Sequence, residues 1–169
     1  AYFRGVLGGA YITKLEQMMA EYLHTDNVAA CQSGTSGLHL ALISCGVEPG
    51  DMVIVPTLTF IAAVNPVKYQ FATPVFMDCD DSLCMDPVKL HRFCQQECML
   101  KDDVLIHKAT GKKVKAVVVV HVFGNLADME AIMQIAEEFH LKVVEDATEA
   151  LGSQYTEGVF AGRYAKQPT

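Results

Sequence analysis

Basic charge is scarce in this sequence. Thirteen lysines and arginines stand against twenty aspartates and glutamates over 169 residues, a formal charge of −7, with no basic block and no aromatic–basic interleaving. That balance argues against a nucleic-acid partner. Long apolar runs are also missing: none approaches the ~20 residues that a membrane helix needs. The opening AYFRGVLGGAY has no basic start, apolar run and cleavage site, so it does not read as a signal peptide. Because it opens without Met, the chain is expected to be a fragment or to have a processed start. Six cysteines, at 31, 45, 79, 84, 94 and 98, make no CxxC pair and no metal spacing with histidine. Cys94 and Cys98, i and i+4 on an expected helix, leave a metal clip as one reading. Reduced thiols used as small hydrophobes are the simpler one, and they make the cytoplasm the expected compartment. Neither a GxxxxGK[ST] loop nor a GxGxxG fingerprint is present, which disfavours a nucleotide-binding Rossmann domain. Internal repeats and linkers are absent as well.

What the chain does have is apolar content, 51% hydrophobic against 20% charged, enough for one core. Strand and helix patterns alternate at short intervals. Residues 13–23, with Ile12 just before them, carry Leu15, Met19 and Tyr22 or Leu23 at helical spacing from it, predicting an amphipathic helix with one face on a core, after a Gly8-Gly9 loop. NVAAC (27–31) reads as a short strand. LHLALISCG follows as a buried helix with Leu38, Leu40, Ala41, Leu42 and Cys45 inward, stopped by Gly46. Met52 to Val55 and Thr73 to Met77 read as strands, with a helix between them begun or interrupted at Pro66. The second of these strands runs into the acidic DCDD at 78–81. Asp86-Pro87 opens a helix with Val88, Leu90, Phe93 and Cys94 on one face. Residues 101–113 predict a loop or small hairpin with a Thr-Gly turn. KAVVVVHV (115–122) is the strongest strand, suited to burial on both faces. A helix over 128–139, with Met129, Ile132, Met133, Ile135, Ala136 and Phe139 inward, leads to a strand over 141–145. The expected fold class is α/β, a mostly parallel sheet with helices on both faces.

Two stretches carry chemistry. In VVEDATEALG (143–152), Glu145 and Asp146 arrive at the carboxyl end of a buried strand, where open α/β sheets bind ligands. The simpler reading makes Asp146 a helix N-cap, with Glu149 completing a capping box. In SGTSG (33–37), Gly34 permits close backbone approach, and Thr35 and Ser36 offer hydroxyls. The helix that follows offers free N–H groups and a positive dipole end. That arrangement suits a phosphate, although a plain turn capped by Ser33 or Thr35 would use the same residues. Parallel strands bring SGTSG, Thr59-Phe60, Asp78 and Asp146 to one rim, and together they fit a phosphorylated aromatic cofactor. For His121, a satisfied core or rim histidine is favoured over a substrate role.

These stretches resemble a known family. SGTSGLHLAL, GVEPGDMVIVPTLTFIAAVNPVKY, ATPVFMDCD, HVFGNLADMEAI and VVEDATEALGS look like consecutive blocks, over about Gly8 to Gly158, of the sugar aminotransferase family. That family comprises PLP-dependent enzymes of fold type I. The EDATEALGS block most resembles the branch that aminates 4-keto sugar nucleotides in bacillosamine- or legionaminic-acid-type pathways. The resemblance implies pyridoxal 5'-phosphate as cofactor. It places Asp146 on the pyridine nitrogen, Phe60 over the ring, Gly34, Thr35 and Ser36 on the phosphate, and Glu149 near the ring hydroxyl. As partners it implies a keto-sugar nucleotide, an amino-acid donor such as glutamate, and a second subunit in a homodimer. Residues 1–169 then correspond to one incomplete PLP-binding large domain, an N-terminal-half fragment. No catalytic residue is assigned, because the Schiff-base lysine of the family lies in an SF…K segment not found here; Lys166 is too close to Asp146. Without that position, a PLP-dependent sugar dehydratase of the same family and a truncated non-catalytic paralogue or binding module remain alternatives.

Overall fold

Two central strands buried on both faces set the architecture. A computed structural model describes residues 9–164, in which the chain divides into two compact units, Ala1–Gln32 and Ser33–Thr169. Lys166 lies outside the described residues, as does Gly8.

The first unit holds one helix, α1 (Gly9–Leu23). It begins earlier than its apolar spacing indicates, taking in Gly9, and none of its residues is buried. Leu15 and Met18 are more than half exposed, so the expected core-facing stripe is not covered. Spacing specifies a helix but not what packs on it. Residues 27–31 form no strand either: a strand needs a partner ladder, and NVAAC has none among the described residues. Instead the Ala30 N–H donates to Glu16 Oε1 at 2.8 Å.

The second unit is built on a parallel sheet. Its strands are β1 (Met52–Pro56), β2 (Thr73–Met77), β5 (Val114–Val120) and β6 (Lys142–Asp146), in the order β2-β1-β5-β6. Val53, Val55, Ala116, Val118 and Val144 face α2 (Gly34–Ser44) and α3 (Asn65–Tyr69), packing with Leu42 and Val67. Ile54, Val117, Val119 and Val143 face the other way. They pack with Leu90 and Cys94 of α4 (Pro87–Glu97) and Ile132, Ile135 and Ala136 of α5 (Met129–Glu138). Helices therefore cover both faces, as a parallel sheet of β-branched residues requires.

Local signals explain the boundaries. Asp86 caps α4, its Oδ1 accepting from Val88 N at 2.8 Å and Lys89 N at 3.2 Å, with Pro87 at the first helical position. Asp128 caps α5 through Ala131 N at 3.0 Å. Gly46 (φ 71°) takes the left-handed position beyond α2. Pro66 sits near the start of α3, behind a separate turn at Ile61–Ala63. Val88 and Leu40, both expected inward, are 75% and 54% exposed. Each lies one position off the stripe that faces the sheet. The hairpin β3 (Cys98–Lys101) and β4 (Val104–His107) turns at Asp102-Asp103, both with positive φ, rather than at Thr110-Gly111. Such a two-residue turn matches strand twist. A second hairpin, β7 (Gln154–Thr156) and β8 (Val159–Phe160), follows the sheet.

Candidate functional site

All four strands run in one direction, so their carboxyl ends share a rim. The last residue of β6 on that rim is Asp146, paired with Val120 of β5. Because side chains alternate along a strand, Asp146 follows Val144 toward the α2 side, and Glu145 follows Val143 toward the α4–α5 side. The two carboxylates consequently meet different surroundings.

Glu145 is buried and fully occupied. Its Oε1 meets His121 Nε2 at 2.9 Å and accepts from Gly162 N at 2.8 Å, while Oε2 accepts from Tyr164 N at 2.8 Å. His121, with no exposed surface, accepts the Ala127 N–H at Nδ1 (3.2 Å), which leaves the neutral ring's proton on Nε2 facing Glu145. Tyr155 Oη lies 3.1 Å from the same nitrogen. Burial opposes a charged ring, and the bonds to Cys84 and Glu145 favour it more, so the pKa of His121 is pushed up. The Ala127 N–H limits that rise, since a proton on Nδ1 must displace it. Burial, and then the Glu145 charge, raise the Tyr155 phenol and keep it protonated. His121 is thus a satisfied interior histidine, as its sequence context indicates.

Asp146 is only partly buried. Its Oδ1 accepts from Thr148 N at 3.0 Å and Thr148 Oγ1 at 2.6 Å; among the described residues no hydrogen bond reaches Oδ2. No helix starts at Ala147, so the capping-box reading fails: the carboxylate closes an Asx turn and keeps one oxygen toward the rim. Glu149 does not reach back to Asp146 but accepts the Phe123 N–H at Oε2, 2.6 Å away.

The turn SGTSG lies beside this carboxylate. Ser33 caps α2, its Oγ accepting from Ser36 N at 3.2 Å and lying 3.0 Å from Ser36 Oγ. Gly34 and Thr35, as the first helical residues, present N–H groups with no intrahelical acceptor. A Cβ added to Gly34 would meet only Thr148 Oγ1, at 3.9 Å, so the space before the helix start is open and borders Asp146's own partner. The donor set fits an anion at α2 together with a cationic ring nitrogen at Asp146. Phe60, 75% exposed, precedes the Ile61–Ala63 turn on the same side of the sheet as α2. Asp78 also reaches the rim, but on β2, three strand spacings or about 14 Å from β6. Lys89 holds it at 2.9 Å and its carboxyl below the usual range. It belongs to a different neighbourhood. Among the described residues no group of three or more His, Cys, Asp or Glu is arranged to hold a metal ion, and no helix is long and apolar enough to cross a membrane.

Sequence reasoning named Glu145 but missed its cage of N–H donors, and it missed Phe123, whose φ of 57° is unusual for a bulky residue. The Phe-Gly pair immediately after a strand was the available signal.

An open α/β sheet covered on both faces, with a helix start whose free N–H groups suit an anion and a carboxylate on one rim, belongs to the doubly wound class. Within it, the chain belongs to the DegT/DnrJ/EryC1/StrS aminotransferase family, whose sequence profile matches residues 4–167. A GDP-perosamine synthase of Escherichia coli O157:H7 is 40% identical over 156 residues, 92% of this chain and 38% of that relative. A DegT DnrJ EryC1 StrS aminotransferase from Brucella abortus superposes with a TM-score of 0.77 at 33% identity, covering 86% of this chain and 37% of that one. NtdA from Bacillus subtilis with bound cofactor PMP superposes with a TM-score of 0.73 at 32% identity, covering 86% and 30%. The chain thus spans well under half the length of these relatives.

Proposed function

We propose that this chain forms the cofactor-facing part of the large domain of a PLP-dependent aminotransferase. The transfer runs from an amino acid such as glutamate to a keto-sugar nucleotide. The observation that carries this reading is the open space between the α2 start and the Asp146–Thr148 turn. A phosphate and a protonated pyridine nitrogen each find a complementary partner there. PLP, when bound, supplies an electron sink that stabilises negative charge at the substrate carbon. The chain's own part is electrostatic and positional. Gly34 and Thr35 N–H groups and the Thr35 and Ser36 hydroxyls hold the phosphate dianion. Asp146 Oδ2 holds the proton on the ring nitrogen, and Thr148 fixes its carboxylate through Oδ1. Phe60 covers one ring face and keeps water from it. Glu149 stands near the ring hydroxyl. A second subunit completes the site, and residues 1–169 act as one part of that domain. Six free cysteines support a reducing, cytoplasmic setting.

Titration of the chain with PLP, followed by absorbance, tests the reading. Saturable one-to-one binding that inorganic phosphate competes away, and that Asp146→Asn weakens, is the expected result. Unsaturable binding, or binding indifferent to both phosphate and Asp146, would reject it.

A further inference from the structure

Among the described residues, seven other than glycine have positive φ. Local chain grammar accounts for most of them. His24, Phe71 and His140 each stand just beyond a helix, where backbone bonds such as Ala72 N to Val67 O and Leu141 N to Ala136 O close the last turn. Asp102 and Asp103 make the hairpin turn. Leu83 belongs to a tight loop closed by Asp80 and Ser82. Phe123 is different. It follows the end of β5 within the short turn Val122–Gly124, and a side chain from another loop, Glu149, grips its N–H at 2.6 Å. The same two loops interlock again: a Cβ on Gly124 would sit 3.4 Å from Glu149 O, and Ser153 Oγ donates to Gly124 O at 3.4 Å. The outcome is a Phe ring that is 73% exposed, held in a conformation disfavoured for its type.

Phe123 shares its rim with one other exposed aromatic on a neighbouring strand end. Phe60 follows β1 and Phe123 follows β5, and β1 and β5 are adjacent. No ring contact joins the two among the described residues, so each presents an unstacked face. With Phe60 and the α2 start given to the cofactor, Phe123 is an exposed apolar face on the same rim, open to what the cofactor acts on.

Resting on the functional reading above, we propose that Phe123 is a specificity residue that takes the C–H face of the substrate's sugar ring, and that Glu149 is the residue that positions it. The carboxylate acts through the Phe123 backbone: it pins the peptide, and the pinned peptide aims the ring.

The test titrates the PLP-loaded full chain with two unreactive probes, UDP-N-acetylglucosamine and GDP-mannose. Phe123→Ala should weaken binding of at least one probe about tenfold, the scale of one aromatic contact, and leave PLP affinity within about twofold. Glu149→Ala should weaken the probe as Phe123→Ala does, and Glu149→Gln, which keeps an acceptor oxygen, should restore it. In the chain without ligand, the Phe123 amide proton should move upfield in Glu149→Ala and stay in Glu149→Gln. PLP binding with probe affinity unchanged in Phe123→Ala overturns this proposal alone. So does failure of the PLP-loaded, unsubstituted chain to bind either probe. Failure of the unsubstituted chain to bind PLP overturns the functional reading, and this proposal falls with it.

Discussion

At the scale of single residues, Glu145 and Asp146 show how one strand position separates an internal brace from a carboxylate at the rim. Glu145, its side chain out of contact with water, meets His121 and accepts the Gly162 and Tyr164 N–H groups, so deleting a partner leaves a buried charge short of donors. His121→Ala should therefore cost about 3 kcal/mol in urea unfolding, the range found when a buried pair loses one member. Asp146→Asn should change stability by less than about 0.5 kcal/mol, because an amide oxygen still accepts the Thr148 N–H. In PLP titrations the same variant should bind more weakly, since an amide has no charge to hold a pyridinium proton. Intact stability with intact PLP affinity would return Asp146 to a purely local role. Asp146 was legible in the sequence because its signal is local: a buried apolar run that ends in a carboxylate. Phe123 was not, because its conformation is held by a side chain 26 residues further on.

At the scale of elements, the same division holds. β2 was read with its observed limits, and β5 and β6 within a residue or two, because their apolar runs are buried and each finds a parallel neighbour in the sheet. NVAAC failed as a strand because pairing is decided by distant chain, and α1 kept its helix but not its core for the same reason. The hairpin shows a third kind of failure. Its turn fell on Asp-Asp, where aspartate tolerates the left-handed region without favouring it as glycine does. Asp103→Gly should accordingly stabilise the unit by about 0.5–1 kcal/mol, since glycine removes the steric cost of positive φ. Asp86→Ala should do the opposite at α4, losing about 1 kcal/mol with both capping bonds. Thermal or urea melts of the two variants, run side by side, check both signs.

On the scale of the whole molecule, the cysteines report where the interior lies. Cys84, Cys94 and Cys98 are buried and Cys31 is exposed. Burial, followed by the nearby Cys98 and Glu138, pushes the Cys94 thiol up to about 12, and burial pushes Cys98 up to about 11. At pH 8 a thiol reagent such as DTNB should therefore label Cys31 rapidly and leave these three until denaturant is added. Labelling of Cys94 at the rate of Cys31 would mean that the α4–α5 face opens readily. One further consequence follows from the alternation at the end of β6. Slipping that strand by a single residue, so that Asp146 takes the place of Glu145, would put Asp146 into the cage built for a longer side chain, Ala147 at the rim and Glu145 in the buried place of Val144. The shorter acid cannot span to His121 and to the N–H groups of Gly162 and Tyr164 together, so the misregistered sheet would leave a charge stranded in its interior. Correct pairing and a correctly placed rim carboxylate are one and the same event, and a chain folded out of frame disqualifies itself by instability before it can misplace its chemistry.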